Sequence, residues 1–254
     1  MVPNVISVIQ RAFEVLDALN CPMVTDVRHI HSITKLPKPT IVRLLETMCA
    51  LGYVARRAEG GYELTFKVLE LSRGFQPVDT HQLLTVARPV LNWLRQQTAG
   101  WPSDLVICDT EAMVVLDPGN SARELPITRN RGYRLSIVGS ATGRAHLAFC
   151  TEEERDNLLR RMIEYPGVYS GCRNSGSLRA ILDNVRQRGF ATRDCEMGTP
   201  TRAMAVPVMA DGRVVACLSI VTSAKAITLH QMERSFAPAL IQAASGIGQR
   251  YVSH

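Results

Sequence analysis

The chain has no apolar run of membrane-spanning length. Charges interrupt it before the ~18 residues that a spanning helix needs, and charge-free stretches such as 214–224 are short. No membrane contact is expected. The leading segment MVPNVISVIQRAFEVLDALN lacks a basic start and carries acids within its apolar pattern, so it does not read as a signal peptide. Paired cysteines are also missing. Cys21, Cys49, Cys108, Cys150, Cys172, Cys195 and Cys217 are odd in number, unclustered and free of any CxxC spacing. That argues against a disulfide framework or zinc ribbon and for small buried thiols in a reducing cytoplasm. The only close histidine pair, His29 and His31, stands at i, i+2, and such residues do not face each other on a helix. No metal or cofactor is expected. There is no nucleophile elbow, Walker motif, HExxH or dinucleotide fingerprint. Cys195 lies between Asp194 and Glu196, whose charge would raise its pKa. An enzyme is therefore disfavoured. No internal repeat or low-complexity tract occurs.

What is present is an ordinary globular composition: 254 residues, 46% hydrophobic, net charge +6. That is one large domain or two smaller ones. The charge is concentrated. From Arg28 to Arg57 there are six basic residues (Arg28, Lys35, Lys38, Arg43, Arg56, Arg57) and one acid, Glu46. A basic block within a folded region points to a polyanion.

Helical periodicity marks 7–19, with Ile9, Ala12, Phe13, Leu16 and Leu19 as the inward stripe, and then 25–32, capped by Thr25. Pro37 and Pro39 sharpen the start of a third helix, because proline is tolerated where N–H groups lack intrahelical acceptors, and Gly52 ends it. Its core stripe is Ile41, Leu44, Leu45, Met48 and Leu51. Segments 53–57 and 61–64 follow as a hairpin. Helix, helix, tight turn, helix, hairpin is the order of a winged helix-turn-helix, in which the third helix enters the DNA major groove. Thr40, Arg43 and Thr47 would face base edges, with Ile41 in the same interface, while Arg28, Lys35, Lys38, Arg56 and Arg57 would meet phosphates.

A connecting helix is predicted over 66–75, with Val68, Leu69 and Leu71 in apolar contact and a joint at Gln76-Pro77-Val78. A helix over 79–98 should kink or restart at Pro89. Strands at 105–107 and 113–116 follow, with a weaker one at 125–130 and another at 135–137. Residues 138–143 then feed a helix to Phe149. Thr151 and Glu154 form a capping box. A helix over 177–188, strands at 202–208 and 213–221, and a helix over 229–251 interrupted at Pro238 complete an α+β domain.

These residues resemble the IclR-type bacterial transcription regulators over nearly the whole chain. The likeness rests on 7–12, Leu36-Pro37-Lys38, 42–45, Leu51-Gly52-Tyr53-Val54, Gly61-Tyr62, Gly132-Tyr133-Arg134-Leu135, Ala141-Thr142-Gly143-Arg144-Ala145, Arg188-Gly189-Phe190, 204–208 and 211–214. It implies a winged helix-turn-helix (1–65), a linker helix (66–78) and a GAF-like effector-binding and oligomerisation domain (79–254). It also implies assembly as a homodimer or homotetramer on a double-stranded DNA operator, with RNA polymerase as a further partner. Trp101-Pro102-Ser103-Asp104 and Ala112-Met113-Val114-Val115 look closest to regulators of aromatic-acid catabolism, the hydroxyphenylpropionate type. Where the family often has Pro, His, an acid and Cys or another small residue, this chain has Ser136, Val138, Arg193 and Ala203, which leaves the ligand open.

For the effector, Val138, Gly139, Ser140, Ala141 and Thr142 sit at a helix start that suits a carboxylate. Arg193, with Asp194 beside it, or Arg202, with Ala203 beside it, could supply a bidentate partner. Ser219 and Val221 would share a strand face. A small aromatic carboxylic acid is the expected ligand, and control of a catabolic operon the expected role. Two alternatives stand beside this ligand-responsive regulator: a GAF-like sensor acting through protein partners, and an enzyme.

Overall fold

The computed structural model describes residues 6–21, 26–72, 80–110, 112–119, 125, 129–164, 175–196 and 199–251, with the side chains of 162–164 and 175–177 left aside. The chain separates into two compact units, Met1–Gln76 and Pro77–His254, each taken by itself below.

The first unit holds α1 (Ser7–Leu19), α2 (Val27–Thr34), α3 (Lys38–Ala50) and the strands β1 (Val54–Arg56) and β2 (Tyr62–Leu64). The strands pair antiparallel, Val54 opposite Leu64 and Arg56 opposite Tyr62. This is a winged helix-turn-helix. Val15, Ala18, Leu19, Ile30, Ile41, Leu45, Met48 and Val54 form its core. Each large apolar side chain buried there contributes about 1.5–3 kcal/mol. The turn between α2 and α3 is tied locally. Lys35 takes a left-handed conformation (φ 59°), and Leu36 N–H donates to the Thr34 hydroxyl at 3.3 Å.

Several expectations need correction here. Thr25 lies outside the described residues; α2 starts at Val27, and Asp26 caps it by accepting from His29 N–H at 2.8 Å. The α1 stripe is rotated by about a quarter turn. Ile9 and Phe13 are exposed, while Val15 and Ala18 point inward. Leu51 is exposed, because at about 100° per residue it falls well off the line through Ile41, Leu45 and Met48. In place of the connecting helix there is a 3-10 helix from Phe66 to Ser72 with Leu69 and Leu71 exposed, and residues 73–75 and the joint at 76–78 lie outside the described residues.

The second unit is built on a sheet of order β5-β4-β3-β8-β7-β6 with every neighbouring pair antiparallel. Its strands are β3 (Ser103–Asp109), β4 (Ala112–Asp117), β5 (Arg134–Leu135), β6 (Ala191–Asp194), β7 (Thr201–Ala210) and β8 (Arg213–Ser223). Helices α4 (Thr80–Gln97) and α8 (Leu229–Gly248) pack on one face through Leu91, Leu94, Met204, Leu218, Ile220 and Leu240. Helices α5 (Ala141–Phe149), α6 (Glu152–Glu164) and α7 (Ser175–Arg188) cover the other through Ile137, Ala145, Leu158, Leu182, Ala205 and Cys217. The fold class is α+β.

Pro89 and Pro238 lie inside uninterrupted helices. Each removes one backbone bond, and the buried stripes on either side hold the helices together. Leu125, Arg129 and Asn130 carry no strand, and 126–128 lie outside the described residues. Of the expected capping box, Thr151 accepts from Glu154 N–H at 3.2 Å, while the Glu154 carboxylate contacts His146 instead. Cys21 and Cys195 are exposed rather than buried, and Cys172 lies outside the described residues. Gly143, in the first turn of α5, has no space for a side chain, since an added Cβ would stand 1.9 Å from the Ile137 carbonyl oxygen. Gly143→Ala should therefore cost at least about 1–3 kcal/mol, read as a lower midpoint in chemical denaturation.

Candidate functional site

Two places bring candidate residues together, one in each unit. On α3, Lys38, Arg43 and Thr47 are exposed and Thr40 is half-buried. Arg43 and Thr47 stand one turn apart, and the Thr47 hydroxyl donates to the Arg43 carbonyl at 2.8 Å, which leaves its methyl group and a lone pair outward. Ile41 does not belong to this face. It is fully buried, about 100° round the helix from Thr40, in line with Leu45 and Met48. The remaining cations are engaged but exposed. Arg28 lies 4.0 Å from Asp26, and the Lys35 ammonium donates to the Ser32 carbonyl at 2.7 Å. Arg56 pairs with Glu46 at 3.5 Å and lies over the Tyr62 ring, and Arg57 pairs with Glu63 at 2.9 Å. Exposed pairs of this kind are worth ~0–1 kcal/mol and exchange readily for phosphate.

In the second unit a cavity of about 190 Å³ is lined by Leu125, Arg129, Tyr133, Arg134, Leu135, Ser136, Gly139, Ser140, Arg193, Thr199, Thr201 and Val221. Of the sequence candidates it gathers Gly139, Ser140, Arg193 and Val221. Strand register explains the selection. Arg193 pairs with Ala203 and Ala203 with Val221, so this row faces the α5 side. Arg202 and Asp194 pair with each other one residue out of phase, on the α8 side, where Arg202 donates to the Ala224 and Ile227 carbonyls at 2.5 and 2.7 Å. Arg202 is therefore not a cavity residue, and neither is Asp194, 2.7 Å from its Nε. Val138, Ala141 and Ala203 are packed in the apolar core beneath, and Thr142 and Ser219 are buried without lining the cavity.

The helix start is largely self-satisfied. Ser140 caps α5 by accepting from Gly143 N–H at 3.0 Å and contacts the Thr142 hydroxyl at 3.0 Å, and Gly139 N–H donates to the Ser136 hydroxyl at 3.0 Å. The capacity to bind an anion therefore shifts to the arginines. Arg129 is held 3.0 Å from Asp104, and Arg134 3.0 Å from Asp109. Burial raises the Asp104 pKa and the Arg129 charge opposes that rise. Among the described residues, Arg193 donates to neutral oxygens: the Glu196 carbonyl at 3.0 Å, the Thr199 hydroxyl, and the Thr201 hydroxyl at 2.6 Å. Burial lowers its pKa, with Arg129 and Arg144 adding to the effect and Glu196 opposing it.

Arg144 sits behind this wall, 5% exposed. It donates to the Val138 carbonyl at 3.1 Å, the Thr192 carbonyl at 3.0 Å and both carboxylate oxygens of Glu196. This single guanidinium fastens the turn before α5 to β6 and to the loop that carries the Arg193 acceptors. Arg129, Glu196, Thr199 and Thr201 lie in loops or at strand ends without a motif. Arg144 stood in the family-like Ala141-Thr142-Gly143-Arg144-Ala145 stretch, which was its one legible signal.

The IclR helix-turn-helix domain family matches residues 8–58, and the bacterial transcriptional regulator IclR C-terminal family matches residues 75–249. The chain is similar to the HTH-type transcriptional regulator KdgR of Escherichia coli K12, 28% identical over 221 residues, covering 86% of this chain and 82% of that one. Among solved structures it is similar to a transcriptional regulator from Rhodococcus sp. RHA1, with 25% identity, TM-score 0.66, and 97% and 98% of the two chains covered. It is also similar to an IclR homologue of Microbacterium hydrocarbonoxydans complexed with 4-hydroxybenzoate, with 22% identity, TM-score 0.65, and 96% and 98% covered.

The clamp has a pH signature. The hydrogen bonds from Arg144 lower the Glu196 pKa. Its stabilisation is complete above the ordinary glutamate range and disappears as the pH falls through the lowered value. Arg144→Met should flatten that acid limb. It should also cost less than the ~3–5 kcal/mol of a fully buried pair, since Glu196 is partly solvated. Denaturant titrations at pH 3 to 7 read both effects.

Proposed function

The chain belongs to the IclR family of bacterial transcriptional regulators, and on that footing we propose that it controls a catabolic operon in response to a small aromatic carboxylic acid. It is a DNA-binding regulator with a ligand-binding C-terminal domain, not an enzyme. The observation that carries the effector reading is the cavity. Three arginines line it, no carboxylate does so among the described residues, and its remaining walls include Leu125, Leu135, Val221 and the Tyr133 ring. At about 190 Å³ it falls below the ~300–1,000 Å³ of drug-sized sites, which favours a small ligand. Arg193, whose hydrogen bonds go to neutral oxygens, is the arginine best suited to grip a carboxylate through two parallel bonds. Ser140 and the Tyr133 hydroxyl would orient the rest of the molecule. The bound 4-hydroxybenzoate of the Microbacterium homologue supports a ligand of this chemistry. The likeness of 101–104 to the hydroxyphenylpropionate-type regulators supports the same class, and Asp104 of that stretch holds Arg129 at the cavity wall.

On the DNA side, Thr40, Arg43 and Thr47 read base edges, and Arg28, Lys35, Lys38, Arg56 and Arg57 meet phosphates. The functional division is 1–65 for DNA, 66–78 as linker and 79–254 for effector and assembly. A cytoplasmic homodimer or homotetramer would place two such helices on half-sites separated by whole helical turns, with RNA polymerase nearby. The effector acts by favouring one arrangement of the assembly over another.

Arg43→Ala should weaken specific operator binding by about 1–3 kcal/mol for a lost bidentate base contact. Arg57→Ala should weaken all sequences alike and reduce the salt slope by about one. Electrophoretic or fluorescence titrations against operator and random duplex separate these cases, and unchanged affinity for Arg43→Ala overturns the groove assignment. Calorimetry of the full-length protein against a panel of aromatic acids should give heat that Arg193→Met abolishes. Heat from neutral metabolites alone would sink the carboxylate reading.

A further inference from the structure

We propose that His146, Cys150 and Glu154 form a binding site for one divalent transition-metal ion of the zinc type. One ligand atom from each of the three lies within 4.8 Å of the others. The cluster belongs to the second unit but shares no residue with the effector cavity. His146 and Cys150 stand one helical turn apart at the end of α5, and Cys150 ends that helix in an extended conformation (ψ 165°). The chain then re-enters a helix at once, and the first turn of α6 brings Glu154 back over His146, with Oε1 2.9 Å from Nε2. The His146 ring and the Cys150 side chain are buried, while Glu154 reaches in from the solvent side.

The donor set decides the class of ion. Imidazole nitrogen, thiolate sulfur and a single carboxylate suit zinc and its first-row neighbours, not magnesium or calcium. Zinc bond lengths of ~2.0–2.3 Å place tetrahedral ligands about 3.3–3.7 Å apart. The three ligand atoms, all within 4.8 Å of one another, stand close to that spacing. Charge also balances: one thiolate and one carboxylate neutralise a dication, and the imidazole stays neutral. Binding releases one proton, from the Cys150 thiol, to solvent. A groove lined by Cys108, Glu153, Asn157, Arg160 and Arg161 adjoins the cluster at Glu154, and water can supply the fourth ligand.

The surroundings contribute in both directions. Burial lowers the His146 pKa and pushes the Cys150 thiol up to about 11. Arg155 and Arg186, which bond to the Leu147 and Ala148 carbonyls, oppose that rise in the thiol but also repel a cation. Nδ1 of His146 is buried with no hydrogen-bond partner among the described residues. An ion held at Nε2 moves the ring proton to Nδ1, and the absence of an acceptor there is a cost that opposes the site. The site would brace the far end of the helix whose start lines the effector cavity. The spacing His-x3-Cys-x3-Glu was legible in the sequence, but the helix break between α5 and α6 that folds it together was not.

The test uses the untagged full-length protein titrated with Co²⁺, a spectroscopic stand-in for zinc. One equivalent should produce a near-ultraviolet thiolate-to-cobalt band and intense tetrahedral visible bands, and Zn²⁺ should bleach both. Cys150→Ser should abolish the ultraviolet band, and Cys21→Ser and Cys195→Ser, at exposed thiols, should retain it. Glu154→Gln, at a partly exposed position, should bind Co²⁺ at least tenfold more weakly with an unchanged circular dichroism spectrum. This keeps the test decisive if Cys150→Ser does not fold. No band at one equivalent, a band that survives Cys150→Ser, or full affinity in Glu154→Gln would overturn the proposal.

Discussion

The buried guanidinium of Arg144 is the constraint on which the effector unit turns. Taking a full charge out of water costs several kcal/mol unless hydrogen bonds and an opposite charge replace the lost solvation. Arg144 finds both, but only by recruiting groups from three separate segments: the turn before α5, strand β6 and the loop after it. The requirement runs in both directions. None of these segments can shift without stranding a cation, so the cavity wall they form is set in advance. Glu196 transmits this constraint outward, because its carboxylate is held by Arg144 while its carbonyl accepts from Arg193.

The alternation of the sheet then assigns chemistry to its two sides. Residues one position apart on β6 and β7 meet different worlds. Arg193 reaches the cavity beside the start of α5, whereas Arg202 is tied to the connection that leads into α8. The far side of the sheet is an apolar layer of Met204, Leu218, Ile220 and Leu240. A rigid, dry face behind the one that holds the cavity suits a sensor whose binding wall has to keep its shape before a ligand arrives.

The sequence disclosed the first unit more fully than the second because the first is built from local signals. Proline at a helix start, glycine at a helix end and a short hairpin are written within a few residues of the structures they produce. Even there, the segment VISVIQRAFEVLDAL carries two overlapping apolar stripes, and periodicity alone favoured the wrong one. In the second unit the cap at Ser140 was legible for the same local reason. Strand β6, Ala-Thr-Arg-Asp, has no apolar alternation, so it passed unnoticed, and with it went the register that separates Arg193 from Arg202. The partnership of Arg144 with Glu196 spans 52 residues, and no local pattern announces it.

The wing arginines have a consequence of their own. Arg56 and Arg57 already hold Glu46 and Glu63, each through a solvent-exposed pair. A duplex that engages them has to evict a carboxylate from each, and the freed acids then stand close to its backbone. The protein thus carries internal decoys for the very groups it is proposed to grip. They weaken its hold on every sequence alike, so the preference for an operator over an arbitrary duplex is left entirely to the base contacts.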